Sequence, residues 1–159
     1  NSSSIRFDAN MEKRKYIEIG KECLLKCEFI FESSSGKIII GNNVHIGGAR
    51  LISKSSIIIG DNVTIGHSVT LHGCILKNNC FIGMGATILD GAVIEEDSMV
   101  AAGALVKQNF FVPKGKLVAG VPAKIIRDLN DEEINNIQAS ALRYKKYSEF
   151  SSGSIKNRI

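Results

Sequence analysis

Aliphatic residues recur along this chain at a spacing that neither helices nor ordinary strands produce. From Ile59 they return about every sixth position, at Ile59, Ile65, Leu71, Leu76, Ile82, Ile88, Ile94, Val100 and Val106. Glycine often follows, as in Ile59-Gly60, Ile65-Gly66 and Ile82-Gly83, and a small or branched residue sits four places on, at Val63, Val69, Cys80, Ala86, Ala92, Ser98 and Ala104. A helix repeats at 3.6 and a half-buried strand at 2. A period of six is the mark of a coil of short strands. Each hexad forms one flat side with its aliphatic residue pointing inward, and three sides close a turn. A sandwich is disfavoured, because its turns do not recur every six residues.

The same pattern begins at Ile17-Glu18-Ile19-Gly20 and runs through Leu25, Phe31, Ile38 to Gly41, Ile46 and Ile52. The step from Ile52 to Ile59 is seven and that from Leu71 to Leu76 is five, so bulges are expected at corners. Arg50 falls where a small residue is expected. These positions predict an all-β chain, a parallel β-helix of about five coils over 17–127. An arm, 1–16, precedes it. A helix over 128–150 follows, started by Asn130 as N-cap with Asp131, Glu132 and Glu133 in its first turn. Its apolar stripe is Ile134, Ile137, Ala141, Leu142 and Tyr144, and needs a flat face to lie on. Residues 151–159 read as an unstructured tail. Val112-Pro113-Lys114-Gly115 reads as a turn, and Leu117 to Lys124 as extended chain.

Composition narrows the function. The 159 residues are 44% hydrophobic but only 6% aromatic, without Trp, as a thin coil filled by one layer of Ile, Val and Leu requires. The net charge of +4 comes from 20 basic and 16 acidic residues, with no basic stripe interleaved with aromatics, so nucleic acid is not an expected partner. A mild positive balance suits an anionic ligand. No apolar run of transmembrane length and no signal peptide is read, so no membrane partner is expected. Cys23, Cys27, Cys74 and Cys80 contain no C-x-x-C, and Cys23 and Cys80 fall on small inward positions. Reduced, packed thiols fit a cytoplasmic protein.

The whole pattern resembles the hexapeptide-repeat, left-handed β-helix superfamily. The left hand is what the resemblance implies, as is a homotrimer along the prism axis. From Gly60 to about Phe150 the chain resembles the γ-class carbonic anhydrase-like family, in I-G-H-S-V-T-L-H-G-C, I-G-M-G-A-T-I-L-D-G-A-V-I, A-G-A-L-V, G-V-P-A-K and the helix running to A-S-A-L-R-Y. The resemblance makes His67 and His72 zinc ligands, one from each of two adjacent subunits. It also asks for a third histidine about one coil earlier, where alignment places Ser53. The family's Arg-Gly-Asp meets Glu32-Ser33-Ser34, and its Gln-Asp pair meets Gly47-Gly48. His45 is out of register for the vacancy. Residues 16–59 resemble sugar and polysaccharide O-acetyltransferases, in Y-I-E-I-G-K and F-E-S-S-S-G-K-I-I-I-G-N-N-V-H-I-G-G, so the chain reads as a mosaic with its seam around Gly60 to Gly66.

Three functions follow. The first is acyl transfer from acetyl-CoA or another acyl-CoA to a hydroxyl or amine of a small polar acceptor. His67 or His72 is the base at the subunit cleft. Gly83, Gly85, Ala86, Ala101, Ala102 and Gly103 let pantetheine approach, and Lys107, Lys124 or Arg127 meet the cofactor phosphates. The second is a γ-carbonic anhydrase-like metalloprotein holding zinc through His67 and His72. The third is a catalytically inactive trimeric scaffold.

Overall fold

The computed structural model describes residues 4–7 and 16–140. The chain winds as a left-handed parallel β-solenoid of about five turns, with three flat faces, followed by one helix. The first face stacks Leu24-Leu25, His45-Ile46, Thr64-Ile65, Phe81-Ile82, Met99-Val100 and Leu117-Val118 in parallel register. On the second face Phe29, Leu51, Leu71, Ile88 and Val106 lie one above another. The third is a six-stranded sheet in which Ile19, Ile40, Ile59, Leu76, Ile94 and Val112 stack.

Apart from Ile19, which is 49% exposed, the aliphatics stacked on the third face are core, as are those at the inward positions of the other two. Ile65, Leu71, Leu76, Ile82, Ile88 and Ile94 are each 0% exposed. Each such side chain contributes about 1.5–3 kcal/mol by leaving water. The strands are too short to hold themselves, so the stack supplies what propensity does not. The small inward positions at the corners are filled by Cys80, Ala86, Ala92, Ser98 and Ala104, all buried. Cys27 and Cys74 are buried as well, Cys23 packs against the core, and all four cysteines are free thiols. Burial raises the Cys74 and Cys80 thiols, Cys80 to about 12, so they act as packing groups and not as nucleophiles.

The corner between the third and first faces carries a polar ladder. Asn43, Asn62, Asn79 and Asp97 all have φ between 55° and 58°, a left-handed conformation that Asn and Asp tolerate. Each asparagine Nδ2 donates to the Oδ1 above it, at 3.2, 3.2 and 3.0 Å. Lys114 closes the column on Asp97 and Glu96.

Three features depart from what a strict period of six predicts. In the early turns the first two faces are joined by nearly continuous strands, Leu24–Phe31 and His45–Ser53. Their corners are short, Lys26 in one and Gly47-Gly48 in the next, whereas Gly66, His67 and Ser68 form a full turn later. Along His45–Ser53 the inward residues are Ala49, Leu51 and Ser53, all buried, so Leu51 and not Ile52 occupies the core. Arg50 consequently points out, and the small position is taken by Ala49. The arm is also partly ordered, since Ser4–Phe7 pairs in parallel with Glu28–Phe31.

The solenoid closes with Lys116–Gly120, which turns back at Val121-Pro122 into the antiparallel strand Ala123–Asp128. The expected single extended stretch is therefore a hairpin. Residues 131–140 are helical. Asn130 caps the helix reciprocally: the Glu133 amide donates to Asn130 Oδ1 at 2.8 Å, and the Asn130 amide donates to Glu133 Oε2 at 3.0 Å. Ile137 is buried, beside Phe81 and Met99 of the chain's own first face. Ala141, Leu142, Tyr144 and residues 151–159 lie outside the described residues. No described helix is long and apolar enough to cross a membrane.

Candidate functional site

The two histidines of the Gly66–Gly73 segment sit at opposite ends of one short strand. His67 lies in the turn between the first and second faces, and His72 ends the strand Val69–His72 on the second. Ser68, Val69, Thr70 and Leu71 lie between them, first the left-handed corner residue Ser68 and then the strand.

His67 is exposed at its corner, and its ring rests on the turn beneath. A Cβ built on Gly47 would lie 3.2 Å from His67 Cε1, and one on Gly48 would lie 3.6 Å from Nδ1. The two glycines that stand in place of the family's polar pair thus make the floor for this imidazole. His45 is half-buried on the first face, in register with Thr64. Burial, reinforced by the nearby His67, lowers its pKa to about 4, so it is neutral at physiological pH.

His72 has a carboxylate near it in the turn above. Its Nδ1 lies 3.8 Å from Asp90 Oδ2, and both side chains are partly accessible. Sequence reasoning missed Asp90. The available signal was its place one turn after Gly73 at the same corner, fixed by the Gly91 amide donating to the Gly73 carbonyl at 2.7 Å. The residue paired with His72 in the turn below is Ile52. Ser53 is fully buried and donates from Oγ to the Ser55 carbonyl at 2.8 Å. Ser53, where alignment places a third histidine, is thus enclosed in the coil, and the residue one turn below His72 is Ile52, an aliphatic side chain. Among the described residues no three His, Cys, Asp or Glu side chains cluster closely enough to hold a metal ion.

The proposed cofactor residues divide. Gly85 and Gly103 stack at the His67 corner with φ of 70° and 68°, and nothing lies within 4 Å of a Cβ built on either. With exposed Ala102 they form an open ledge. Lys124 pairs with Ala119 in the hairpin just above this corner. Ala86 points into the core and offers the ledge only backbone. Gly83 is closed off by the Ala102 backbone and can admit no ligand. Lys107 follows Val106 at the far end of the second face. Arg127 is taken up by a two-pronged pair with Glu133, both contacts 2.7 Å, which holds the Glu133 carboxyl down at about 2.

Beside His67, the short corners of the first turns leave an open groove of about 460 Å³, lined by Lys26, Cys27, Glu28, Gly48, Ala49, Arg50, Ser68 and Val69.

Comparison with known proteins gives the fold its relatives. The model for bacterial transferase hexapeptide (six repeats) matches residues 73–108, and that for the hexapeptide repeat of succinyl-transferase matches 37–72 and 56–89. Gamma carbonic anhydrase 1, mitochondrial, of Arabidopsis thaliana is 45% identical over 151 residues, 93% of this chain and 54% of that protein. The chain thus spans about half the length of this plant relative, and the match extends through both of its halves. A probable carbonic anhydrase of Methanocaldococcus jannaschii is 47% identical over 116 residues, 71% of this chain and 73% of that protein. Among solved structures, a putative acetyltransferase of Bacillus cereus superposes with a TM-score of 0.76 at 27% identity, covering 94% of this chain and 98% of its own. A hexapeptide-repeat acetyltransferase of Vibrio cholerae, complexed with acetyl coenzyme A, superposes at 0.58 with 26% identity, covering 74% of each chain. By these matches and by its coil, the chain belongs to the hexapeptide-repeat family, alongside the γ-class carbonic anhydrases.

Proposed function

We propose that this protein is an acyltransferase that moves an acyl group from acyl-CoA to a hydroxyl or amine of a small polar acceptor. It works as a homotrimer, with His67 of one subunit facing His72 of the next. The observation that carries this reading is the setting of His72, with its Nδ1 3.8 Å from Asp90 Oδ2 and its place over Ile52. A partly accessible histidine with a carboxylate close to one of its nitrogens is equipped to take a proton. His72 Nε2 removes the acceptor's proton as its oxygen or nitrogen attacks the thioester carbonyl. The thiolate of coenzyme A leaves and takes that proton back. General base catalysis of this kind contributes about 10²–10⁴-fold. The ledge of Gly85, Ala102 and Gly103 lies open to the pantetheine arm, with Lys124 nearest for phosphate. Lys107 serves only if the cofactor reaches across the face. Free thiols suit the cytoplasm or another reducing compartment.

The test is acetyl-CoA added to the purified protein. At about 100 times Kd, binding stabilises by about 2.7 kcal/mol and raises the melting temperature. His72→Ala should keep that shift and lose turnover. No shift with any acyl-CoA overturns the reading.

A second reading, a γ-carbonic anhydrase-like metalloprotein with zinc between His67 and His72 of neighbouring subunits, is favoured by 45% and 47% identity to the carbonic anhydrase relatives. A hydratase site takes three protein ligands and an open position for water. With Ile52 below His72, this chain supplies two imidazoles per cleft and does not fit that set. Metal retained on purification, with chelator-sensitive CO₂ hydration, would establish it. Neither response leaves the inactive scaffold.

A further inference from the structure

We infer that the groove beside His67 is a carboxylate-binding subsite, and that the acceptor is therefore a small anionic alcohol or amine such as a hydroxy acid or amino acid. The inference deepens the acyltransferase reading and rests on it for the word acceptor, but the binding itself does not. The groove exists because the first turns lack the full corner that Gly66, His67 and Ser68 build later. Two cations line its walls, Lys26 and Arg50, both exposed, against one carboxylate, Glu28. Glu28 and Arg50 are neighbours in the strand register, so the wall is mixed in charge with the cations in excess. The hydrogen bond of Arg50 to a described residue is a long one, Nη2 to Thr70 Oγ1 at 3.4 Å. Thr70 lies on the strand that ends at His72, so this contact brings Arg50 Nη2 to that strand. A guanidinium has five N–H donors in a planar fork that matches a carboxylate. Arg50 lines the groove, and the contact to Thr70 occupies only one of these donors. A volume of about 460 Å³ lies within the usual range for small-molecule sites. A ligand anchored by its carboxylate on Arg50 and Lys26 lies alongside His67, with its hydroxyl or amine free to reach the cleft.

The experiment is direct binding to the purified protein, by calorimetry, without acyl donor. The probes are D-glycerate, its neutral amide glyceramide, and inorganic sulfate. Glycerate should bind, glyceramide at least tenfold more weakly. Arg50→Gln should weaken glycerate about tenfold and Lys26→Gln several-fold, at unchanged melting temperature. Lys77→Gln, an exposed cation at a different corner, should change nothing. Equal binding of glycerate and glyceramide, equal loss in Lys77→Gln, no loss in Arg50→Gln, or sulfate as tight as glycerate would each overturn the assignment. Because no acyl-CoA is present, the groove is tested even in a protein that transfers no acyl group.

Discussion

Ile52 lies directly beneath His72 in the parallel register of the second face. Adjacent strands stand about 4.8 Å apart, so a side chain at 52 reaches the same outer space as the imidazole. The substitution Ile52→His should therefore add the missing nitrogen to each cleft. We expect zinc content to rise to about one per subunit, against little in the parent protein, and to fall again with His67→Ala. The measurement is elemental analysis after purification without chelator. No gain would mean that His67 and His72 of adjacent subunits do not face one another.

Asp90 Oδ2 stands 3.8 Å from His72 Nδ1, so in the acyltransferase reading its charge supports the imidazolium that forms. Replacing it by Asn keeps the size and removes the charge. Partners of this kind typically contribute 10- to 100-fold. Acyl transfer by Asp90→Asn should lose that factor in kcat with little change in KM for acyl-CoA. A loss confined to KM would place Asp90 in binding instead.

The solenoid is legible in the sequence because its signal is one residue type at one spacing, repeated until chance is excluded. The interior at Ile82, Ile88 and Ile94 follows from that alone. What the period cannot fix is the stretch Gly47 to Ser53. Two glycines compress the corner, and the strand after them buries alternate residues, Ala49, Leu51 and Ser53. Counting in sixes across it lands on Ile52, one residue late. That single step puts Arg50 at an inward place it does not occupy. Asp90 is hidden for a different reason: its partner is a turn away in sequence and only the stacking brings them together.

Two glycines two residues apart should respond in opposite ways. Gly83 has no room, since a Cβ there runs into the Ala102 backbone. Gly83→Ala should cost about 1–3 kcal/mol through overpacking. Gly85 has open space but a φ of 70°, so Gly85→Ala carries only the backbone penalty of about 1 kcal/mol. Urea unfolding of the two variants should rank them so. If Gly85→Ala also weakens acetyl-CoA binding, the ledge is where pantetheine passes.

The helix start is worth testing by itself. Asn130 and Glu133 satisfy each other's amides, and Arg127 clamps the carboxylate. Asn130→Ala should cost about 0.5–2 kcal/mol. The Glu133 carboxyl is lowered to about 2, first by Arg127 and then by the Asn130 amide. A depressed carboxylate stabilises the fold above its unfolded pKa near 4.5 and loses that effect as pH falls toward 2. Glu133→Gln should therefore flatten the acid side of the stability curve between these limits, as read by melting temperature.

His45 gives the opposite kind of group in a nearby window. Its folded pKa of about 4 lies below the ordinary value of 6.5, because burial and then His67 disfavour the cation. Between those values the unfolded chain binds more protons than the folded one, so stability rises with pH. The full effect is present above about 6.5, is eroded as pH falls to about 4, and is constant below that. His45→Asn, which does not titrate, should lose less melting temperature than the parent between about pH 7 and about pH 5. Equal losses would mean that His45 titrates normally and that the early first face is wetter than its burial implies. A smaller effect in a His67→Ala background is also expected, since the second cause of the shift is then gone.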